Sequence, residues 1–415
     1  MPNTISFSQL VSDLSLAEFQ FNSPCIFTAD RSFETDFMDQ TYQSGLTVQI
    51  RKQNFGTTTR GRIAVPEDIN EETVPLTIGP EYLNSWQFDS KELTLEVTKN
   101  APRYQQRYVS PRILNLVSTL ERDIMQSGVL DVNYVVGSPT SLISDFSMVD
   151  IAYAQMTELG MPTAAANSFL LSPRDATALK ATNQNAFNQT LNTDISFESQ
   201  LGRYSAFNLY QTPATVIHQA GSGAGTPVVS VVPASGATSI SVSGLTALAV
   251  GVYRAGDIIS FGTFGTATAV ESVNKVSRQS TGQLMTFVVQ ADVNADAGGN
   301  AIIPISPAII SDPANNRRNV SQNIPLNAPV NLLGAGLRYR ISYAYTSRGL
   351  SLVMPPMARI HAPEVGIAMD KDSGISLRIS IAFDPINGLD LFRVEFLAGY
   401  KFHQDYAVRI VSAIS

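Results

Sequence analysis

The longest uncharged stretch of the chain limits what it can fold into. No Asp, Glu, Lys or Arg occurs in the fifty residues 204–253. Glycine, proline and serine interrupt this stretch repeatedly, as in residues 221–227 (GSGAGTP), so it cannot form one long helix. The pattern predicts short strands separated by turns. A surface with so few charges is poorly protected against association, so either it contacts a partner or the protein tolerates association.

The chain as a whole is poor in charge, which excludes several classes of protein. Of its 415 residues, 15% are charged and 44% hydrophobic, and the net charge is −7; ordinary globular proteins have about 25% charged residues. The apolar content is too high for a disordered chain, and an acidic balance without a Lys/Arg block argues against a nucleic-acid-binding protein. No run approaches the roughly 18 apolar residues of a membrane span, and no signal peptide is apparent. The length favours two or three domains in a soluble, strand-rich protein.

Three helices can be placed from their capping signals. The first covers residues 110–127, opens on Ser-Pro and is expected to end at Gly128. The second covers about 148–159, after Ser147 as its N-cap. The third follows a short strand at 168–171 and opens with SPRD, which combines an N-cap, a proline and an acidic N3 residue. This strand-to-helix step is the clearest α/β signal in the chain.

Two regions have the pattern of β-structure. Residues 220–310 are rich in glycine and show no helical period, which predicts a separate small β domain inserted into the preceding one. Apolar residues alternate strictly with polar or small ones over 375–383, and a turn at 384–388 leads to a second such strand. An antiparallel pair is therefore expected near the end of the chain. Near the start, residues 10–19 have the spacing of a short amphipathic helix.

Charges separate by sign in the strand-forming segment that begins at Gly45. Basic residues come first and an acidic run follows. A solvated hairpin is the simplest interpretation, and a complementary head-to-tail contact with a neighbouring subunit is the alternative. A calcium site is disfavoured because Ca²⁺ loops interleave glycine and carboxylates differently. The candidate interface residues are Arg51, Lys52, Arg60, Arg62, Glu67, Asp68, Glu71 and Glu72.

Residues with catalytic or metal-binding chemistry form no recognisable motif. His218, His361 and His403 are far apart and lack metal-site spacing. The glycine-rich residues 221–226 match neither a phosphate-binding loop nor a dinucleotide-binding fingerprint, and no Gly-x-Ser-x-Gly elbow occurs. Cys25, the only cysteine, has no histidine nearby in sequence and is expected to be a core-packed thiol. We therefore expect no enzymatic activity, no metal site and no cofactor.

Four separated groups of residues give the chain a resemblance to a known family. Each motif is weak alone, and their order and spacing make the match specific. The first group is GLTV at 45–48, VPLTI at 74–78, FDSKELTL at 88–95 and LERDI at 120–124; the second is SFLLSP at 168–173 and GRYSAFNLY at 202–210. The third is AGDIISF at 255–261, TFVVQADV at 286–293 and IPISPAI at 303–309; the fourth is SLR at 376–378, FD at 383–384, RV at 393–394, GYK at 399–401 and AVRI at 407–410. With these, the chain resembles the major capsid (coat) proteins of tailed bacteriophages, in the short-tailed Salmonella-phage type whose coat carries an inserted β domain.

The resemblance implies an α+β fold of the Hong Kong 97-type capsid class. Its parts would be a N-terminal arm, an extended β loop, a peripheral domain with a long spine helix, an axial domain and an inserted small β-barrel. On this chain they would be the arm at 1–36, the loop at 37–80, the peripheral domain at 81–130 and 361–415, the axial domain at 131–219 and 311–360, and the insertion at 220–310.

The resemblance also implies a role in assembly. Such a protein forms hexamers and pentamers that close an icosahedral virion shell around double-stranded DNA in the host cytoplasm, with scaffolding and portal proteins as partners and no membrane contact. The resemblance leaves open whether decoration proteins bind. This chain departs from the family twice. Residues 232–237 are uncharged where relatives have a charged loop that bridges capsomers, and His403-Gln404-Asp405 replaces an Arg-Pro-Glu-like turn.

One function of another class also fits parts of the sequence. An extracellular β-rich phage tail or surface-layer binding protein would suit the low charge, the abundant Ser and Thr, and the region 220–310. The capped helices at 110–127 and 148–182 and the absence of internal repeats argue against it. A hydrolase is the third and least supported function, because no nucleophile–base pair occurs in the sequence.

Overall fold

The computed structural model describes residues 23–32, 47–53, 55–56, 58, 62, 72–89, 105–162, 167–182, 200–358, 364–369 and 376–414. They belong to two compact units. The first is formed from residues 1–50, 75–124 and 350–401, and the second from residues 51–74, 125–349 and 402–415. The fold is mixed α and β, and sheets dominate it.

The helices in the described ranges are few. They are α1 (Pro24–Thr28), α2 (Ser110–Asp131), α3 (Ser147–Glu158) and α4 (Pro173–Thr182), with a π-helical turn at Gln105–Val109 before α2. None of the helices in the described residues is long and apolar enough to cross a membrane. The helix expected near residues 10–19 lies outside the described residues.

The helix starts follow local capping chemistry. At α4 the backbone N–H of Asp175 donates to Ser172 Oγ at 3.1 Å, and the Ser172 hydroxyl donates to the Asp175 carboxylate at 2.5 Å, which confirms the predicted cap. The predicted cap of α3 is wrong, because Ser147 is its first residue. The backbone N–H of Ser147 donates to Asp145 Oδ1 at 3.3 Å, so an aspartate two residues earlier supplies the side-chain acceptor.

Helix α2 continues past the glycine that was expected to end it. It reaches Asp131, and Gly128 lies inside the last turns. A Cβ atom at Gly128 would lie 2.7 Å from Tyr343 Cζ and 2.9 Å from Phe402 Cδ2. Glycine is therefore required here for the close approach of two aromatic rings, rather than for a helix end.

The first unit is built on a six-stranded sheet. The strand order is β1-β2-β20-β19-β18, and β17 also pairs with β20. The antiparallel pair predicted near the end of the chain is confirmed as β19 and β20, with Ile379 opposite Val394. The strands are β1 (Thr47–Arg51), β2 (Thr73–Asp89), β17 (Leu350–Val353), β18 (Glu364–Met369), β19 (Ser376–Asp384) and β20 (Leu389–Phe402).

The second unit contains a seven-stranded sheet. The order is β3-β21-β16-β4-β6-β5, and β7 also pairs with β16. The predicted strand at 168–171 is confirmed as β4, buried along its whole length. The strands are β3 (Val135–Gly137), β4 (Asn167–Leu171), β5 (Gln200–Tyr204), β6 (Phe207–Gln211), β7 (Val216–Gln219), β16 (Arg338–Thr346) and β21 (Ala407–Ala413).

A second sheet in the same unit is nearly closed on itself. Its order is β15-β10-β13-β14-β9-β8. The two ends meet where Val229 N–H donates to Ala328 O at 3.0 Å and Asn327 N–H donates to Val229 O at 2.9 Å. The strands are β8 (Gly225–Val229), β9 (Ala237–Leu245), β10 (Ile258–Phe261), β13 (Thr286–Val289), β14 (Ala301–Ile309) and β15 (Val330–Leu332); a short hairpin of β11 (Glu271–Val273) and β12 (Ser280–Leu284) accompanies them.

The nearly closed sheet is inserted between two neighbouring strands of the seven-stranded sheet. Strands β7 and β16 are antiparallel partners, with Gln219 opposite Arg338. All six strands of the nearly closed sheet lie between these two residues in sequence, and β15 lies beyond residue 310. The uncharged stretch that predicted short strands and turns therefore covers β6 to β9.

Candidate functional site

The structure describes four of the eight predicted interface residues. Arg51 ends β1 and is exposed, and Arg62 is exposed in a bend. Lys52 Nζ lies 3.2 Å from Glu72 Oε1, and the backbone N–H of Lys52 donates to Glu72 O at 2.8 Å. The pattern of segregated charges thus includes one ion pair within the chain itself. The other four residues, Arg60, Glu67, Asp68 and Glu71, lie outside the described residues.

Lys52 and Glu72 belong to a larger group of charges in the second unit, here called the charged junction. Arg317 Nη1 lies 3.3 Å from Glu72 Oε2, and Lys52 Nζ lies 4.0 Å from Asp405 Oδ2. Lys275 Nζ donates to Asp405 Oδ1. Burial alone would raise the pKa of the Asp405 carboxyl, but Lys275 and Lys52 outweigh that effect and lower the pKa below its ordinary value.

The charged junction could not be found from the sequence. Its members come from four distant segments, so no local spacing or periodicity links them. Asp405 is the last residue of the turn His403-Gln404-Asp405, and its carboxylate lies within 4.0 Å of two lysines of its own chain. The charged junction connects residues 52 and 72 to the loops of the nearly closed sheet and to the turn before β21.

A cavity of 130 Å³ opens beside the charged junction. All of its lining residues belong to the second unit. Apolar walls come from Phe55, Met285 and Ile310, and the buried Tyr134 adds a phenol whose pKa burial raises above its ordinary value. The cavity is therefore lined by both apolar and charged side chains.

A second polar group is fully buried between the two sheets of the second unit, and we call it the buried junction. It consists of His218 on β7, Asp257 before β10 and Arg409 on β21. Asp257 accepts hydrogen bonds from His218 Nε2 at 2.7 Å and from two backbone N–H groups, Gly221 at 3.0 Å and Arg254 at 2.7 Å. Arg409 donates to Gly256 O at 2.8 Å and to Val129 O. Burial lowers the pKa of Arg409.

Two of the histidines and the cysteine are buried. His218 lies in the buried junction, His403 is buried, and His361 lies outside the described residues. Cys25 is fully buried in α1, as expected, and burial and the neighbouring Glu121 raise the pKa of its thiol. No group of three or more potential metal ligands occurs among the described residues.

The first unit holds a compact cluster of four charges on adjacent strands. Arg378 Nε donates to Glu395 Oε1 at 2.6 Å, and Arg393 Nη2 donates to Glu81 Oε1 at 3.0 Å. Arg393 also pairs with the fully buried Glu395. Burial and a hydrogen bond with Glu81 raise the pKa of Glu395, whereas that hydrogen bond lowers the pKa of Glu81.

The nearly closed sheet exposes apolar side chains in its loops. Leu248 is 70% exposed, Val250 80% and Phe264 68%. The uncharged segment 232–237 follows the exposed Val231, and Gly236 N–H ties it to Ile309 O at 2.6 Å.

Comparison with known proteins gives structural similarity only. No protein-family model and no curated protein matches the sequence. The chain is similar to a solved structure of Mycobacterium phage Che8, at 11% identity and a TM-score of 0.42, over 92% of this chain and 89% of that one. It is also similar to the capsid of Ralstonia phage GP4, at 8% identity and a TM-score of 0.44, over 88% and 82%.

A third similar structure is that of a virus-like particle. It comes from Pyrococcus furiosus and is similar at 8% identity and a TM-score of 0.38, over 98% of this chain and 100% of that one. With identities this low and TM-scores below 0.5, these similarities carry no argument about function.

Proposed function

We propose that the chain is the major capsid protein of a tailed bacteriophage and acts as a structural, non-catalytic subunit. It assembles with copies of itself, as hexamers and pentamers, into an icosahedral virion shell that encloses double-stranded DNA. The proposal starts from the ordered motifs that resemble short-tailed Salmonella-phage coat proteins. Their spacing spans the chain from residue 45 to residue 410, so it concerns the whole architecture rather than one domain.

The observation that carries the proposal is the insertion between β7 and β16. The resemblance implies a small β-barrel set into the axial domain of a Hong Kong 97-type fold. A nearly closed six-stranded sheet inserted between adjacent strands of a larger sheet is what such an insertion would look like. In this assignment the seven-stranded sheet with α3 and α4 is the axial domain, and α2 is the spine helix.

Two further features support a subunit surrounded by copies of itself. The exposed apolar loops at Leu248, Val250 and Phe264 would be covered by neighbours in a shell. The low charge of the chain, 15%, suits a protein with little free surface to keep soluble. An acidic inner wall would also hold packaged DNA only weakly, because phosphate binding needs Lys and Arg.

The partners follow from the same proposal. Scaffolding protein and portal protein would act during assembly in the host cytoplasm, and the finished subunit would reside in the virion capsid. The segment 37–80 would extend over a neighbouring subunit, with Arg60 and Arg62 against Glu67, Asp68 and Glu71 of that neighbour. The arm would be residues 1–36, and the strands β18 to β20 would return to the peripheral domain, whereas β21 pairs with β16 in the axial sheet.

Expression with and without a scaffolding protein, followed by negative-stain imaging, tests the proposal. We expect closed round shells of uniform diameter when the scaffolding protein is present. Slender trimers would instead indicate the alternative, a β-rich tail or surface-layer binding protein. Monodisperse monomers under every condition would contradict the capsid assignment.

A further inference from the structure

The cavity beside the charged junction carries more positive than negative charge. The protein as a whole has a net charge of −7, so an enclosed basic site is unusual for this chain. The charged residues that line the cavity are Lys52, Lys275, Arg317, Arg318, Glu72 and Asp405.

Both carboxylates are already shared between cations. Glu72 contacts Lys52 at 3.2 Å and Arg317 at 3.3 Å. Asp405 contacts Lys275, and Lys52 lies 4.0 Å away. Since the lysines keep the pKa of Asp405 low, this carboxyl is ionised, and its negative charge offsets positive charge of the lysines. Among the described residues that line the cavity, three cations therefore contact two carboxylates, one cation more than there are carboxylates.

Arg318 adds a second positive charge that no carboxylate offsets. Its Nε donates to Val320 O at 3.0 Å, and its Nη2 donates to Ser321 O. These are neutral carbonyl groups, and no carboxylate in the described part of the chain lies within 4.0 Å of the guanidinium. The side chains of Lys52 and Lys275 are each only 20% exposed, so solvent screens these charges less than it would at an open surface.

A neutral acceptor lines the same cavity. Asn133 is 1% exposed, and its Nδ2 donates to Thr286 O at 2.9 Å. Its Oδ1 is buried and has no hydrogen-bond partner among the described residues. A buried acceptor of this kind requires a donor. The cavity thus presents excess positive charge together with one acceptor that needs an O–H or N–H group.

We propose that this cavity binds a phosphate group that carries an ionisable O–H, either free hydrogen phosphate or a terminal phosphate monoester. The anionic oxygens would neutralise the excess charge of Arg318 and the lysines through charge-assisted hydrogen bonds. The O–H would donate to Asn133 Oδ1, which a chloride ion or an ionised carboxylate cannot do. The cavity volume of 130 Å³ is several times the roughly 10–15 Å³ that one water needs, so a five-atom tetrahedral ion fits.

The test measures thermal unfolding of the full, unassembled chain in phosphate and in chloride at equal ionic strength. Since a ligand that binds only the folded state stabilises it, phosphate at ten times its dissociation constant should raise the unfolding temperature by about 2 °C above the chloride value. Calorimetric titration with inorganic phosphate gives the dissociation constant. Because neither measurement uses shells, failure of this inference is separate from failure of the capsid proposal.

Three variants locate the site. Arg318→Gln removes one uncompensated charge and should weaken phosphate binding about tenfold. Ala308→Leu keeps every charge and fills the cavity, so it should abolish binding even if Arg318→Gln folds poorly. Arg203→Gln changes the net charge equally at an exposed position of β5 that does not line the cavity, and should bind phosphate like the unmodified chain.

A DNA duplex with 5′-phosphate ends and the same duplex with hydroxyl ends distinguish the sources of phosphate. Binding of the phosphate-ended duplex alone, together with inorganic phosphate, supports recognition of terminal monoesters as well as the free ion. Inorganic phosphate binding with neither duplex supports the free ion. Equal unfolding temperatures in phosphate and chloride, or equal phosphate binding by the Ala308→Leu chain, would overturn the proposal.

Discussion

The imidazole Nε2 of His218 lies 2.7 Å from the carboxylate Oδ1 of Asp257, inside the buried junction between the two sheets of the second unit. The same carboxylate accepts the backbone N–H groups of Gly221 and Arg254. Gly221 belongs to the segment that leads into the nearly closed sheet, and a Cβ atom there would lie 2.3 Å from Val252 O. One fully buried carboxylate thus fixes the strand β7, the following segment and the turn before β10.

Replacing this carboxylate should weaken the fold strongly. Asp257→Asn replaces the buried carboxylate with a neutral amide, so the backbone N–H groups of Gly221 and Arg254 lose their charge-assisted hydrogen bonds, at a cost of roughly 3 kcal/mol in the free energy of unfolding. Urea unfolding of the unassembled chain, followed by circular dichroism, measures this loss. The control is Asp292→Asn, an exposed carboxylate that accepts one N–H from Ala255 and should cost under about 1 kcal/mol. Equal effects of the two substitutions would contradict the role given to the buried junction.

The pH dependence of stability should report Glu395. A raised pKa means that the folded state holds the Glu395 proton more tightly than the unfolded chain does. The resulting stabilisation is complete below the ordinary pKa of 4.5 and is lost as the pH rises through the raised value. Glu81 acts in the opposite direction: its pKa is lowered, so its contribution is present above the ordinary value and is lost as the pH falls through the lowered one.

Glu395→Gln should therefore change the slope of stability with pH. Between pH 4.5 and neutrality, the free energy of unfolding of the unmodified chain should fall relative to that of the variant, because glutamine cannot lose a proton. Glu158→Gln, at an exposed position of α3, is the control for the loss of one carboxylate elsewhere on the chain. If the Glu395→Gln chain also runs parallel to the unmodified chain, Glu395 does not titrate as described.

Gly128 should not tolerate alanine, although alanine is the better helix former by about 1 kcal/mol. The added methyl would meet the ring of Tyr343, which is fully buried. This ring lies tilted against Phe402 with ring centroids 4.7 Å apart, and its hydroxyl donates to Met125 O at 2.9 Å. We expect a net destabilisation of about 1–3 kcal/mol in chemical unfolding. Asn115→Ala, at an exposed position of the same helix, should change stability by less than about 0.5 kcal/mol. A stabilised Gly128→Ala chain would mean that the rings can move.

The single cysteine should be unreactive in the folded protein. Cys25 is fully buried, and burial together with Glu121 raises its pKa, so little thiolate forms near neutral pH. Labelling with a thiol reagent should be slow in native buffer and complete in denaturant. Rapid native labelling would show that α1 opens readily. A Ser127→Cys, Cys25→Ala double variant provides a partly exposed thiol for comparison.

Charge reversal in the segment 37–80 should affect assembly rather than folding. Arg60→Glu combined with Arg62→Glu places acidic residues where the capsid proposal needs basic ones, so shell yield with scaffolding protein should fall severalfold. The circular dichroism spectrum of the unassembled chain should stay unchanged. The matched control is Arg203→Glu combined with Arg174→Glu, two exposed positions outside the segment. Normal shells from the Arg60/Arg62 variant would remove the interface role of these residues.

Features with a local cause could be predicted from the sequence. The cap at Ser172 and Asp175 involves groups three residues apart, and its hydrogen bonds are present as expected. The alternation over 375–383 likewise gave the β19–β20 pair, because side-chain direction in a strand is set by neighbouring residues.

Features that depend on distant partners could not be predicted. Asp405 and Lys275 are far apart in sequence, and neither carries a signal of the other. Gly128 shows a different limit: a glycine near the end of an apolar stripe is expected both at a helix terminus and where a ring packs against a helix. Only the position of Tyr343 distinguishes the two.

The pairing of Gln219 with Arg338 has a consequence for how such a chain can vary. The segment between them leaves the seven-stranded sheet and returns to it at neighbouring positions of the same antiparallel ladder. A tight turn between β7 and β16 would satisfy the same backbone geometry as the whole nearly closed sheet does. The register of β7 and β16 is therefore independent of the length of the inserted segment, and the contacts of the buried junction, Asp257 with His218 and Arg409 with Gly256, hold that segment against the sheet.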